Sequence, residues 1–234
     1  MKINIFTPTY HRFEMTKRSL ESIIPFVNSS IYDTTLYICD NNSPDEMKEW
    51  LKTLVGDRVK LYLHEKNIGK AAIINEVYRH NNDCTHVISI DSDMIADEEN
   101  NFIDGMIWCI EHFPKFGLLS TFQKENDQQL WDMLSKEVTN GSQTVAFDKF
   151  NGVAGGCVIL KKEMWDSIGG YNTYGGVYGF DDGLLMQSVM LKGFLTGVIK
   201  TLKLTHPYDD DKKYVDWKSK NIQKRRDKGY YEEG

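Results

Sequence analysis

The sequence predicts an α/β fold, with a mostly parallel sheet and helices on both faces. Two observations carry this. Over residues 2–93, short apolar runs alternate with stretches of helical spacing, the pattern of strands joined by crossover helices. Each apolar run also ends in a polar loop, and right-handed crossovers collect such loops along one sheet edge. The 234 residues, 41% of them hydrophobic, are enough for one large domain with a sizeable core.

Residues 2–6, Lys-Ile-Asn-Ile-Phe, make the first strand, too short an apolar run for a signal peptide. It stops at the polar turn from Thr7 to Arg12. Residues 12–24 carry apolar side chains at Phe13, Leu20, Ile23 and Ile24, a helical spacing that Pro25 should end. A second strand over 35–39 runs into Asp40, Asn41 and Asn42. Ser43 is placed to cap the next helix, with Pro44 at its first position and Glu46 at its third. That helix reaches about residue 54, and a third strand occupies 59–63. Asn67, Gly69 and Lys70 open a helix to about His80, and a fourth strand spans 85–90.

The second half is less regular. Residues 101–112 are expected to be helical and 116–122 a strand. The polar stretch 123–145 reads as a loop or ribbon over the site. Residues 152–160 read as a strand opened by small residues, where glycines permit close backbone approach or mark a bulge. A short helix over 161–168 stops at Gly169 and Gly170. A glycine-rich hinge over 175–179 precedes Asp181, Asp182 and a helix to about 192. A strand over 196–204 leads to His206. The organisation expected is one domain over 1–206 with two abutting parts, 1–95 and 96–206, followed by a basic tail over 207–234.

Charge and cysteine usage narrow the class. A net charge of −6 argues against a surface that coats nucleic acid generally. The charge is uneven, because residues 212–228 alone carry +6. That segment is a solvated helix or, with Tyr214, Trp217, Tyr230 and Tyr231 interleaved, a surface for an acidic partner. Cys39, Cys84, Cys109 and Cys157 have no zinc spacing and sit mostly in apolar runs, so buried reduced thiols and a cytoplasmic location are expected. No run approaches the ~18 apolar residues of a transmembrane helix.

Several polar groups carry chemistry. Asp91 and Asp93 flank Ser92 at the end of the fourth strand, where a parallel sheet opens its cleft. Such a pair can hold a divalent cation, and the cation a diphosphate; the other reading is a polar turn with Asp91 as a cap. Asp40 either accepts hydrogen bonds from a nucleoside or closes an Asx turn. Lys70 beside a helix N-terminus favours a phosphate, or is an exposed lysine. Asp181 and Asp182 exceed what capping one helix needs, so one of them can serve as a general base. His206 is a metal ligand or a structural histidine.

Taken together, the chain resembles an inverting family 2 glycosyltransferase of the GT-A fold over about residues 2–206. The motifs are Thr7-Pro8-Thr9-Tyr10, Asp40-Asn41-Asn42, Asn67-Ile68-Gly69 followed by Asn75, Asp91-Ser92-Asp93, Gly155-Gly156, Gly179-Phe180-Asp181-Asp182 and His206. The region around Phe180 also resembles a galactosyltransferase-type segment, which usually reads Gly-Glu-Asp. The resemblance implies a nucleotide-sugar donor, UDP-linked, bound by Thr7, Thr9, Tyr10, Asp40, Asn67, Gly69, Lys70, Asp91 and Ser92. It implies Mn2+ or Mg2+ on Asp93 and His206, with Asp181 as the general base and Asp182 as its substitute if the register slips by one. Two positions depart from the pattern. Phe180 stands where the family usually has Glu, and Ile74 stands where an Arg usually precedes Asn75, a gap that Lys70 can fill.

The acceptor left open is a glycan, a lipid-linked sugar, a protein side chain or a modified DNA base. Two rivals remain. A nucleotidyltransferase would favour a glycine-rich loop after the first strand, and the Thr7–Arg12 turn has no glycine. An inactive nucleotide-sugar-binding module would lose the acidic pair or the late acid, and both are present.

Overall fold

The computed structural model describes residues 1–96, 101–123, 134–148, 155–174, 179, 181–207 and 212–226. The first half follows the expected alternation: β1 (Lys2–Thr9), α1 (Phe13–Ser29), β2 (Asp33–Asp40), α2 (Asp45–Thr53), β3 (Val59–Leu63), α3 (Lys70–His80) and β4 (His86–Ile90). Then come α4 (Phe102–His112), β5 (Phe116–Gln123), β6 (Lys136–Asn140), β7 (Gln143–Phe147), β8 (Cys157–Lys161), α5 (Lys162–Ile168), α6 (Asp181–Leu191), β9 (Leu195–Leu204) and α7 (Lys212–Arg226).

All nine strands join one sheet in the order β3-β2-β1-β4-β8-β5-β9-β7-β6. The α/β class holds, but the sheet is mixed rather than mostly parallel. β1, β2, β3 and β4 pair in parallel, as do β5 and β9. β8 is inserted antiparallel between β4 and β5, and the β6–β7 hairpin adds antiparallel at the far edge. Periodicity reports that a segment is a strand, but the direction of a strand that pairs with neighbours distant in sequence is set by tertiary packing.

Alternation along the strands sends side chains to two cores. Ile3, Ile5, Leu36, Ile38, Ile88 and Ile90 face α1, α2 and α4. Phe6, Tyr37, Cys39, Val87, Val158 and Leu160 face α3, α5 and α6. Helices therefore cover both faces, as expected. The four cysteines are buried and free, and burial pushes the Cys84 and Cys109 thiols up to about 11 and 12.

Three local expectations need correction. Pro25 does not end α1, which continues to Ser29. Pro25 lies on the exposed face, where water can satisfy the carbonyl it frees, while Val27 beyond it is fully buried. Ser43 does not cap α2; Pro44 is the N-cap, and the Ser43 hydroxyl instead accepts a hydrogen bond from His11 N at 3.2 Å. The 123–145 stretch does not lie over the site in its described part. Its hairpin extends the sheet beyond β9, and residues 124–133 fall outside the described residues. The hinge residues 175–178 and Phe180 also fall outside them.

Candidate active site

The carboxyl ends of β1, β2 and β4 meet at a cleft of about 270 Å³. β1 runs through Pro8 because past Phe6 it pairs only with β2, so the missing N–H breaks no ladder on the β4 side. Thr9 Oγ1 then donates to Asp40 Oδ1 at 2.8 Å, and Ser43 N donates to Asp40 Oδ2 at 2.9 Å. Asp40 is fully buried with both oxygens taken up by these partners. It shapes the turn and does not itself line the cleft. Thr7 is also fully buried, and its hydroxyl has no hydrogen-bond partner among the described residues.

The loop before α3 is tied to the same wall. Ile68 N donates to Asn41 Oδ1 at 3.1 Å and Gly69 N to Asn67 Oδ1 at 3.0 Å. Gly69 is the N-cap with φ 90°, a value that side-chain-bearing residues rarely adopt. This turn aims Lys70 into the cleft, where its Nζ lies 2.7 Å from Asp91 Oδ1 and 2.8 Å from Asp182 Oδ1. The Asp182 contact is an aligned hydrogen bond; the Asp91 contact is an ion contact without that alignment. Burial opposes the charge on Lys70, and the two carboxylates outweigh it, so its pKa lies well above the ordinary value. Burial pushes Asp91 up to about 7; Asp182 and Asp93 add to the shift and Lys70 opposes it.

The second half of the chain reaches the cleft by two backbone joints. Asp91 N donates to Gly156 O at 2.8 Å, which brings the start of β8 against the end of β4. A Cβ on Gly155 would overlap the Asp182 carboxyl group, so the acid packs directly on this backbone. Ile95 and Thr205 exchange two backbone hydrogen bonds of 2.8 and 2.9 Å, which place His206 beside Asp93. His206 Nε2 lies 3.4 Å from Asp93 Oδ2, the oxygen that also accepts a 2.8 Å hydrogen bond from Arg12 Nη1. Burial works against the Asp93 charge, but His206 and Arg12 together hold its carboxyl well below the usual range. The same contact raises His206.

The cleft thus gathers Thr9, Tyr10, Asn67, Gly69, Lys70, Asp91, Ser92, Asp93, Asp181, Asp182 and His206. Of the residues expected from sequence, Thr7 and Asp40 stand behind its wall. Sequence reasoning did not single out Arg12, Tyr171 or Trp217 as parts of the site. Arg12 carried a signal, since it directly follows the first strand's loop. Trp217 lies in the tail helix, yet it lines the cleft, and its ring centroid is 5.2 Å from that of Tyr10.

Asp93 Oδ1 is buried without a hydrogen-bond partner among the described residues, as expected of an oxygen reserved for a cation. Among the described residues no group of three or more acidic, His or Cys side chains forms a complete cage. Asp93 and His206 can supply part of a coordination shell, and a diphosphate and water would complete it.

The mixed sheet with its strand-end cleft has the fold of GT-A glycosyltransferase structures. Residues 4–115 match the family model of glycosyl transferase family 2. No curated protein sequence matches it. Among solved structures it is similar to the mannosyltransferase PcManGT from Pyrobaculum calidifontis in complex with GDP-Man and Mn2+, at TM-score 0.71 and 17% identity over 92% of this chain and 59% of that one. GalNAc-T7 with UDP, GalNAc and Mn2+ aligns at TM-score 0.66 and 11% identity, over 90% of this chain and 44% of the other. TarS residues 1–349 from S. aureus with UDP-GlcNAc aligns at 0.65 and 13%, over 90% and 60%. The chain therefore spans at most about three fifths of the length of these structures. No helix among the described residues is long and apolar enough to cross a membrane.

Proposed function

We propose that the chain is a metal-dependent glycosyltransferase that moves a sugar from a UDP-linked donor to an acceptor hydroxyl with inversion. The observation that supports this most is the meeting of Asp91 and Asp93 with Asp181, Asp182 and His206 in one cleft, from segments about 90 to 115 residues apart. The Mn2+ and nucleotide or nucleotide-sugar complexes of structurally similar proteins support the same reading. In this proposal residues 1–95 bind the nucleotide, 96–206 hold the catalytic and acceptor side, and 207–234 form a basic tail whose helix adds to the donor wall.

Asp93 and His206 would hold Mn2+ or Mg2+, which when bound supplies charge neutralisation to the leaving diphosphate. Tyr10 and Thr9 line the cleft, where they would flank the nucleoside. Lys70, firmly cationic, lies where it can turn from the carboxylates to a phosphate oxygen. Asp181 accepts the proton of the acceptor hydroxyl as that oxygen attacks the anomeric carbon, and the bond to the diphosphate breaks on the opposite face. Asp181 is the base by its place in the resemblance, and Asp182, with one oxygen engaged by Lys70, is its substitute. Acceptors with a free hydroxyl suit this chemistry, on a glycan, a lipid-linked sugar, a protein side chain or a modified DNA base.

The test is donor hydrolysis and transfer across a panel of UDP- and GDP-sugars, with and without Mn2+. Loss of metal-dependent turnover in Asp93→Asn and Asp181→Asn is expected. Full metal-dependent activity in both variants would overturn the assignment.

A further inference from the structure

Arg12 enters the cleft through a strained turn. His11 and Arg12 have φ values of 54° and 49°, consecutive left-handed residues without a glycine. Such residues persist only where the surrounding structure holds them in place. Hydrogen bonds fix the turn: His11 N donates to Ser43 Oγ at 3.2 Å, Thr16 N donates to Arg12 O at 2.9 Å, and Thr16 Oγ1 donates to His11 O at 3.5 Å. The result is an arginine whose side chain is 8% exposed, with Nη1 2.8 Å from Asp93 Oδ2. The other oxygen of that carboxylate, Oδ1, is buried and has no hydrogen-bond partner among the described residues. One carboxylate thus offers one oxygen to a resident guanidinium and the other to the cleft.

We propose that Arg12 makes cation binding at Asp93 conditional on a nucleoside diphosphate; this rests on the function proposed above. A divalent cation on Oδ1 shares its carboxylate with a fixed positive charge on Oδ2. In a site this poorly exposed the repulsion is weakly screened. Among the described residues Asp93 and His206 are the pair placed to ligate, and Asp93 is already partly neutralised by Arg12. Arg12 therefore lowers the affinity for the free cation. A diphosphate adds negative charge beside both Arg12 and the cation, which offsets the penalty. The coupling is reciprocal, so the cation tightens the diphosphate by the same factor. A device of this kind holds the site idle in a cell rich in divalent cations until the donor arrives.

The test is a titration of Mn2+ into the full chain, free Mn2+ being read by its paramagnetic resonance signal, alone and with saturating UDP or GDP. For the wild type, weak binding alone and binding at least about tenfold tighter with one nucleotide are expected, within the usual range of site coupling. Arg12→Gln should tighten Mn2+ alone and shrink the coupling factor by a similar ratio, whereas Arg12→Lys, which keeps the charge, should retain most of it. Wild-type Mn2+ binding that is equally tight with and without nucleotide overturns the inference without any variant. So does an Arg12→Gln protein, folded by circular dichroism, whose Mn2+ affinity is unchanged or weaker. A wild type that binds neither Mn2+ nor nucleotide overturns the proposed function itself, a different outcome from lost coupling.

Discussion

Asn75 and Tyr171 are locked together by a reciprocal pair of hydrogen bonds. Asn75 Nδ2 donates to Tyr171 O at 2.7 Å, and Tyr171 N donates to Asn75 Oδ1 at 3.0 Å. The side-chain amide thereby acts as a piece of backbone joining α3 to the segment after α5. Tyr171 is held in turn by its hydroxyl, which donates to Ser89 Oγ at 2.9 Å, and Lys70 Nζ stands 5.5 Å from its ring centroid. Asn75→Ala leaves a buried N–H and C=O without partners. It should lower stability by about 1–3 kcal/mol, read by urea unfolding. Asn75→Asp keeps the acceptor and loses the donor, so it should fall between the wild type and Asn75→Ala.

Gly155 packs against the Asp182 carboxyl so closely that any Cβ there would overlap it. Gly155→Ala should push Asp182 away from Lys70 while leaving the core untouched. Turnover should drop on the order of a hundredfold, as for a displacement of about 1 Å at a reacting centre, with little change in Tm. Wild-type turnover in a folded Gly155→Ala protein would remove Asp182 and its lysine contact from the machinery.

These two contacts also explain what the sequence could and could not reveal. The first four strands and their helices were legible, because each apolar run is local and each polar loop marks its end. The acids at 91, 93, 181 and 182 were legible as chemistry, because carboxylates after a buried strand or a glycine-rich hinge need a reason. Their grouping around Lys70 was not, since a lysine at a helix start carries no mark of the acid 112 residues away that it will meet. The antiparallel course of β8 was equally hidden, and it is what carries Gly155 and Gly156 to the end of β4. Asp40 shows a different case. Its position left a nucleoside contact and an Asx turn equally open, and Thr9 and Ser43 each donate to one of its oxygens, a local arrangement that residue type alone does not reveal.

The His206–Asp93 contact gives two pH dependences of opposite sign. The contact raises His206 above its ordinary 6.5. In the cation-free chain it therefore adds stability that is fully present below about 6.5 and is lost as pH rises through the raised folded value. Cation binding needs the neutral ring, so Mn2+ affinity should climb over that same rise. Thermal melts without metal and Mn2+ titrations between pH 6 and 8.5 should move in opposite directions. His206→Gln should flatten both. A Mn2+ affinity indifferent to pH in the wild type would place the ligand set elsewhere.

Trp217 ties the tail helix to the cleft. Its ring centroid is 5.2 Å from that of Tyr10, the two planes are tilted by 49°, and Lys218 lines the cleft beside it. A basic helix whose aromatic residue faced solvent would suit an independent partner, whereas this one completes a wall of the cleft. Aromatic faces on the nucleoside side offer a base a surface to stack on, worth about 0.5–1.5 kcal/mol beyond the area buried. Trp217→Ala should then weaken UDP or GDP binding by several-fold, up to about tenfold. In the wild type, nucleotide should also change the tryptophan fluorescence, and Trp217→Phe should remove that change while keeping most of the affinity. If Trp217→Ala leaves nucleotide affinity intact but abolishes transfer to one acceptor, the helix belongs to the acceptor instead. Deleting residues 207–234 would then lower acceptor affinity while nucleotide binding stayed as in the wild type.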